Sequence, residues 1–186
     1  MIGYAICGSF CTHAKSLAVL RHLIERGEDI QPILSPAVMM TDTRFGTAKD
    51  LIAEVESLTS RKAVSTIVDA EPLGPKTPLD ALIISPCTGN TLAKMANGIT
   101  DTAVTMAAKA HLRADRPLLI ALASNDALSA NHGNIGTMML RKNVFFVPLI
   151  QDDPIGKPHS LVADFSRVIE AYDAMLENRQ LRPLIK

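Results

Sequence analysis

Four short segments hold the residues best suited to bind a small anion: Gly8-Ser9, Ser35, Cys87-Thr88-Gly89-Asn90-Thr91 and Ser124-Asn125-Asp126. They consist mainly of glycine, hydroxyl and amide residues, and each follows an apolar run that reads as a strand. A strand delivering its chain through such a turn into a helix presents backbone N–H groups and the positive end of the helix dipole to a phosphate or carboxylate. A single turn of this kind reads as ordinary helix capping. Four at one sheet edge point to a phosphate-bearing ligand. Asp126 is the candidate for proton transfer, because a carboxylate at a strand's carboxyl end is poised there, and a turn or N-cap carboxylate is its alternative. Arg44, Lys157 and His159 are candidates to clamp a carboxylate, against exposed loop residues. Asp152 and Asp153 read as a solvated turn before Pro154.

Positioning these groups requires alternating strands and helices. Strands are expected at Ile2 to Cys7, Ile30 to Leu34, Ala63 to Val68, Asp80 to Ser85, Pro117 to Ala123 and Val144 to Val147. The central one is apolar on both faces and is expected to stop at Pro86, which has no N–H for the ladder. Helices are expected from Thr12 or His13 to Gly27, from Thr47 to Leu58, after Asn90 or Thr91, from Thr102 to Leu112 behind Thr100-Asp101, from Asn131 to Arg141, and after Ser160. In the last, Leu161, Phe165, Val168, Ile169, Tyr172, Met175 and Leu176 form one apolar stripe. Asp69 to Pro78 carries three prolines and Gly74, and reads as loop. The pattern predicts one α/β domain over residues 1–186, a three-layer, Rossmann-like or flavodoxin-like fold of about six parallel strands with helices on both faces. In such sheets ligands sit beyond the carboxyl ends of the strands, where the strand order reverses.

Composition narrows the function. The 186 residues are 47% apolar and 20% charged with zero formal net charge, which disfavours nucleic acid and anionic membranes as partners. No stretch reaches membrane-span length, and Met1 to Ile6 lacks a positive leader and a cleavage site. Cys7, Cys11 and Cys87 suit a reducing cytoplasm and read as small buried hydrophobes rather than nucleophiles. His13, His22 and His132 have no ligand spacing, so no metal is expected. Met39-Met40 and Met138-Met139 read as core filling, and Lys94, Lys109 and His111 as surface or subunit-contact residues. Neither G-x-G-x-x-G nor a P-loop pattern occurs, so a mononucleotide such as FMN fits better than a dinucleotide.

The stretch Ser85-Pro86-Cys87-Thr88-Gly89-Asn90-Thr91-Leu92-Ala93-Lys94-Met95-Ala96-Asn97-Gly98-Ile99-Thr100-Asp101 resembles the signature of the homo-oligomeric flavin-containing cysteine decarboxylase superfamily. There a Pro-x-x-x-Asn-Thr turn precedes Ala-Lys, Asn-Gly and an Asp, and Gly8-Ser9 and Ser35 match that group's phosphate-binding turns. A narrower resemblance rests on Thr100 to Arg113, Ser124 to Leu128, Lys142 to Pro148, Gln151-Asp152-Asp153-Pro154 and Lys157 to Ala163. These segments are similar to the dipicolinate synthase B-subunit family of sporulating bacteria. That resemblance implies a cytoplasmic, mother-cell protein working with a Rossmann-type A subunit. Together they would form dipicolinic acid from 4-hydroxy-tetrahydrodipicolinate, a cyclic dicarboxylate, by dehydration and oxidation with NADP on the partner subunit.

The wider superfamily implies a homo-oligomer and FMN held by Gly8, Ser9, Ser35, Thr88, Gly89, Asn90, Thr91, Ser124 and Asn125. Substrate in the same place, or nothing, is the alternative. One departure stands out. The decarboxylases place an active-site histidine in the segment corresponding to Val68-Asp69-Ala70-Glu71-Pro72, and no histidine lies between His22 and His111. Their Pro-Ala-Met-Asn turn is replaced by Ala123-Ser124-Asn125-Asp126. An FMN-dependent decarboxylase acting alone and a non-catalytic stabilising subunit remain the rival readings.

Overall fold

Continuous apolar runs of β-branched and leucine residues build the middle of the sheet, where both faces must be dry. The structure, a computed structural model, describes residues 1–74 and 76–186. Strands β1 (Ile2–Ile6), β2 (Ile30–Leu34), β3 (Leu82–Thr88), β4 (Leu118–Ser124), β5 (Val144–Phe146), β6 (Leu149–Ile150) and β7 (Leu161–Ala163) form one sheet. Its order is β2-β1-β3-β4-β7-β6, with β5 also paired to β4. Strands β1 to β5 run parallel, whereas β7 is antiparallel to both β4 and β6. The chain steps outward from β1 to β2 and then crosses to β3 on the other side of β1. Strand order therefore reverses between β1 and β3.

Helices α1 (His13–Glu25), α3 (Ala48–Thr59) and α8 (Val168–Leu176) pack on one face. The short α4 (Ile67–Ala70), with α5 (Gly89–Ala96), α6 (Ala103–Arg113) and α7 (His132–Met139), covers the other, and a one-turn α2 (Pro36–Met40) follows β2. None of these helices is long and apolar enough to cross a membrane. Strand β4 is buried along its whole length, and β3 to Cys87. A buried polar string ties α1 to the sheet: the Tyr4 hydroxyl donates to the Ser16 carbonyl at 2.8 Å, and Ser16 Oγ donates to the Ser85 carbonyl. Burial pushes the Tyr4 phenol up to about 12.

The expected architecture is present, with five local corrections. Ala63 to Val68 is not a strand: Val64 makes one bridge to Ile33, and then Thr66 accepts from the Asp69 N–H and starts α4. The expected loop from Asp69 is accordingly helical as far as Leu73, and its Pro75 lies outside the described residues. Strand β3 does not stop at Pro86; a register shift between Ile84 and Cys87 absorbs the missing N–H, and the strand runs on to Thr88. Thr88 and Thr102, rather than Asn90 or Thr91 and Thr100-Asp101, cap α5 and α6. Ser160 caps no helix, because Leu161–Ala163 is β7 and α8 begins at Val168.

The sheet's two margins are covered differently. Beside β2, Val64 exchanges hydrogen bonds with the Pro32 carbonyl and the Leu34 N–H, both 2.9 Å. Beside β6, Leu149 donates to the Leu184 carbonyl at 2.7 Å and accepts from the Lys186 N–H at 3.0 Å.

His111, expected as a surface or subunit-contact residue, is fully buried on α6; its Nε2 meets the Pro117 carbonyl at 2.8 Å and its Nδ1 has no partner among the described residues. Burial holds this imidazole below its ordinary 6.5, and His13 likewise. The unfolded chain therefore binds the proton first as pH falls. Stability is whole above about pH 6.5 and declines as the pH drops toward the folded-state values. The thermal midpoint is expected to fall by a few degrees between pH 7.5 and 5.5, and His111→Gln should fall less. Equal slopes for the two proteins would refute this.

Candidate ligand-binding cleft at the switch point

The reversal between β1 and β3 leaves a cleft of about 660 Å³ above the carboxyl ends of the strands. That is ample for a small ligand or a mononucleotide. Gly8 and Ser9 line it from β1, Thr88, Gly89 and Asn90 from β3 and α5, and Ser124, Asn125 and Asp126 from β4. Arg44 and Lys157 enter from the loops after α2 and β6. Ten of the expected site residues therefore converge on one cleft. Three do not. Ser35 is buried below the β1 turn, Thr91 is buried behind Thr88, and His159 is exposed outside the lining.

The antiparallel hairpin explains how Lys157 arrives. Strand β5 pairs with Leu118 to Ile120 of β4, and β7 takes over at Ala123 and Ser124. Residues 151–160 thus hang beside the ligand edge, where Lys157 Nζ meets Asp152 Oδ2 at 3.4 Å. Arg44 has its guanidinium carbon 4.9 Å from the Phe45 ring centre. It has no carboxylate partner among the described residues.

Two glycines are required by close approach. A Cβ on Gly8 would lie 3.0 Å from the Ala37 Cβ. One on Gly89 would overlap Ser124 Oγ and stand 2.7 Å from Asn131 Nδ2 and 2.9 Å from Asp126 Oδ1. The hydroxyl protons are committed inward. Thr88 donates to Thr91 Oγ1 at 3.0 Å, and Thr91 donates to Cys7 Sγ at 3.4 Å. Ser124 donates to Asp126, since a carboxylate only accepts. An anion here is therefore met by the free N–H groups of the first turn of α5, by Ser9, by the Asn90 and Asn125 amides, and by the two cations.

Asp126 is held below the usual carboxylate range, first by the Ser124 hydroxyl and then by Asn131. Asn131 Nδ2 donates to both of its oxygens, at 2.9 and 2.8 Å. It is an ionised acceptor at neutral pH and no proton donor. Asn131, 6% exposed, is a site residue whose place in the sequence marks only a helix start. Phe10, Cys11, Thr12, Phe45, Ala123, Asp152, Ser160 and Val162 complete the lining; of these Cys11 and Asp152 read from the sequence as a buried hydrophobe and a solvated turn, and the others carry no chemical signal in type or spacing.

Buried Cys7 and Cys87 are inert, burial pushing Cys7 up to about 11 and Cys87 well above its ordinary value. Cys11, expected to be buried, is exposed at the cleft wall. Met138 fills core as expected, but Met40 is 77% exposed.

Outside the cleft lining, the Ser35 hydroxyl is buried without a hydrogen-bond partner among the described residues, and a Cβ on Gly8 would sit tightly against Ala37, so the first two turns keep a small, polar cradle of the kind a mononucleotide's phosphate takes.

The family model described as Flavoprotein matches residues 1–163. The chain belongs to the Flavoprotein family. Within it, the chain is 41% identical to the dipicolinate synthase B subunit of Bacillus subtilis (strain 168) over 184 residues, covering 99% of this chain and 92% of that protein. The crystal structure of the dipicolinate synthase B subunit from Bacillus halodurans C superposes with a TM-score of 0.91 at 40% identity, covering 100% of this chain and 95% of the other. A more distant Flavoprotein-type fold is the FMN-dependent cysteine decarboxylase SpaF, with a TM-score of 0.69 and 22% identity over 95% of each chain. The first two are close homology along the whole length, and the third is likeness of fold.

Proposed function

We propose that this chain is the B subunit of a dipicolinate synthase, acting with an A subunit that carries NADP. What carries the reading is the end-to-end likeness to the Bacillus subtilis protein. The cleft supports it through Arg44 and Lys157, two cations for a cyclic dicarboxylate, which line it together with a neutral donor turn and an ionised Asp126.

The substrate, 4-hydroxy-tetrahydrodipicolinate, must lose one water and then a hydride and a proton to become aromatic. The hydride goes to the partner's NADP, giving NADPH. This chain neutralises the two carboxylates with Arg44 and Lys157 and orients the ring against the β3 and β4 turns. In the dehydration the Asp126 carboxylate takes the ring proton beside the hydroxyl and, once protonated, passes it to the departing hydroxide, which leaves as water. Assayed with this substrate and NADP, the chain alone and the A subunit alone should form no dipicolinate, and the mixture should form dipicolinate and NADPH together. Undiminished activity from the A subunit alone would overturn the reading. A stabilising subunit without chemistry is separated by Asp126→Asn, which in that case keeps both the complex and the rate.

The unpartnered Ser35 hydroxyl and the Gly8 turn favour a second reading, in which the same cleft holds FMN in a homo-oligomer. Gly8, Ser9, Ser35, Thr88, Gly89 and Asn90 would hold its phosphate, with Thr91 behind them and Ser124 and Asn125 along the ribityl chain. Such a group supplies electron transfer. The absence of any histidine between His22 and His111 weighs against a stand-alone decarboxylase of that type.

A further inference from the structure

The β4 end of the cleft has an unusual polarity that follows from counting protons. Ser124 is buried, and its one hydroxyl hydrogen is bound by Asp126. Asn131 gives its amide hydrogens to the two Asp126 oxygens and accepts from Asn134 Nδ2 at 2.9 Å. The amide orientation is fixed, because the carboxylate it faces can only accept. Asn134 in turn accepts from Asn97 Nδ2 at 3.3 Å, so the chain of bonds is anchored at the far end of α5. What remains directed to a ligand is lone pairs: those of Ser124 Oγ and the remaining capacity of the Asp126 oxygens. Both residues line the cleft, and Asn131 stands behind them.

We propose that Ser124 and Asp126, locked by Asn131 as a positioning residue, form an acceptor-only subsite that selects a hydrogen-bond donor on the ligand. Resting on the dicarboxylate reading, this assigns the donor as the ring hydroxyl. An ionised Asp126 repels the ligand's carboxylates, which are left to the two cations that line the same cleft, Arg44 and Lys157. The subsite therefore distinguishes a hydroxylated ring from its unsubstituted counterpart and sets which way round the ring lies.

Calorimetric titration of the full chain with piperidine-2,6-dicarboxylate and with its 4-hydroxy derivative tests this. Both probes carry the same two carboxylates, and the second adds a donor opposite them. The native protein should bind the hydroxylated probe roughly tenfold more tightly or better, as expected for one hydrogen bond to a charged acceptor. In Ser124→Ala and Asp126→Asn the ratio of the two affinities should fall to near one, whatever happens to the affinity for the unsubstituted probe. Asn131→Leu should lessen the preference, a readout that a merely structural role would leave alone. Equal affinities in the native protein, or a preference that survives in Ser124→Ala and Asp126→Asn, overturn the subsite and leave the dicarboxylate reading standing. If neither probe binds at millimolar concentration, the dicarboxylate reading fails and the subsite with it. Should a variant not fold, the native ratio alone decides.

Discussion

Gly89→Ala is expected to destabilise the protein by about 2–4 kcal/mol, although alanine is the better helix former by roughly 0.5–1 kcal/mol. The new methyl would overlap Ser124 Oγ and press on Asn131 and Asp126. Those side chains cannot swing away, because each holds the next by a hydrogen bond. Overpacking of this kind costs about 1–3 kcal/mol, and a loosened bond to the carboxylate adds about 1–3 kcal/mol. At about 2–4 °C per kcal/mol for a chain of this size, the midpoint should drop by roughly 5–15 °C. Gly136→Ala on α7 is the control, since nothing lies within 4 Å of a methyl there. It should raise stability by about 0.4–1 kcal/mol. Calorimetric melts of the two variants with opposite signs would place the constraint at the α5 start. The same sign for both would remove it.

Arg44→Ala and Lys157→Ala should each lower kcat/KM of the reconstituted synthase by roughly 10- to 100-fold, the loss expected for one hydrogen bond between charged groups. Their stability should stay within about ±0.5 kcal/mol, because both side chains are exposed. Arg44 stacks on the Phe45 ring, and Lys157 holds an exposed pair with Asp152 of the kind that contributes about 0–1 kcal/mol. The double variant should lose more than either single one. Steady-state rates and melts measured on the same preparations check both halves. Wild-type rates in both variants would move the carboxylates elsewhere.

The elements that carry the cleft were legible because the buried runs of β1, β3 and β4 and the small residues after them leave little choice of period. The failures have identifiable physical causes. Leu161-Val162-Ala163 is too short to display a two-residue period, so its apolar residues merge into the stripe of the helix beyond. Pro86 reads as a stop because it lacks an N–H, whereas the sheet absorbs that lack in a local shift of register. Val64 to Val68 is β-branched at every position but Ser65, and only the Thr66 to Asp69 spacing reveals the helix start. In the cleft, residue type identified who lines it but not where the protons point. Thr88 and Ser124 read as donors by type, and their bonds to Thr91 and Asp126 commit those protons away from the ligand.

Every open sheet has two rims where a foreign strand can add itself, and fibrous self-association begins there. Here Pro32 and the Val64 bridge blunt one rim, and the last residues of the chain lie along the other. Removing the C-terminal residues from Leu184 would bare the β6 backbone and convert that rim into a template. Each rim is thus shielded by a stretch of the same polypeptide, a guard against runaway strand addition.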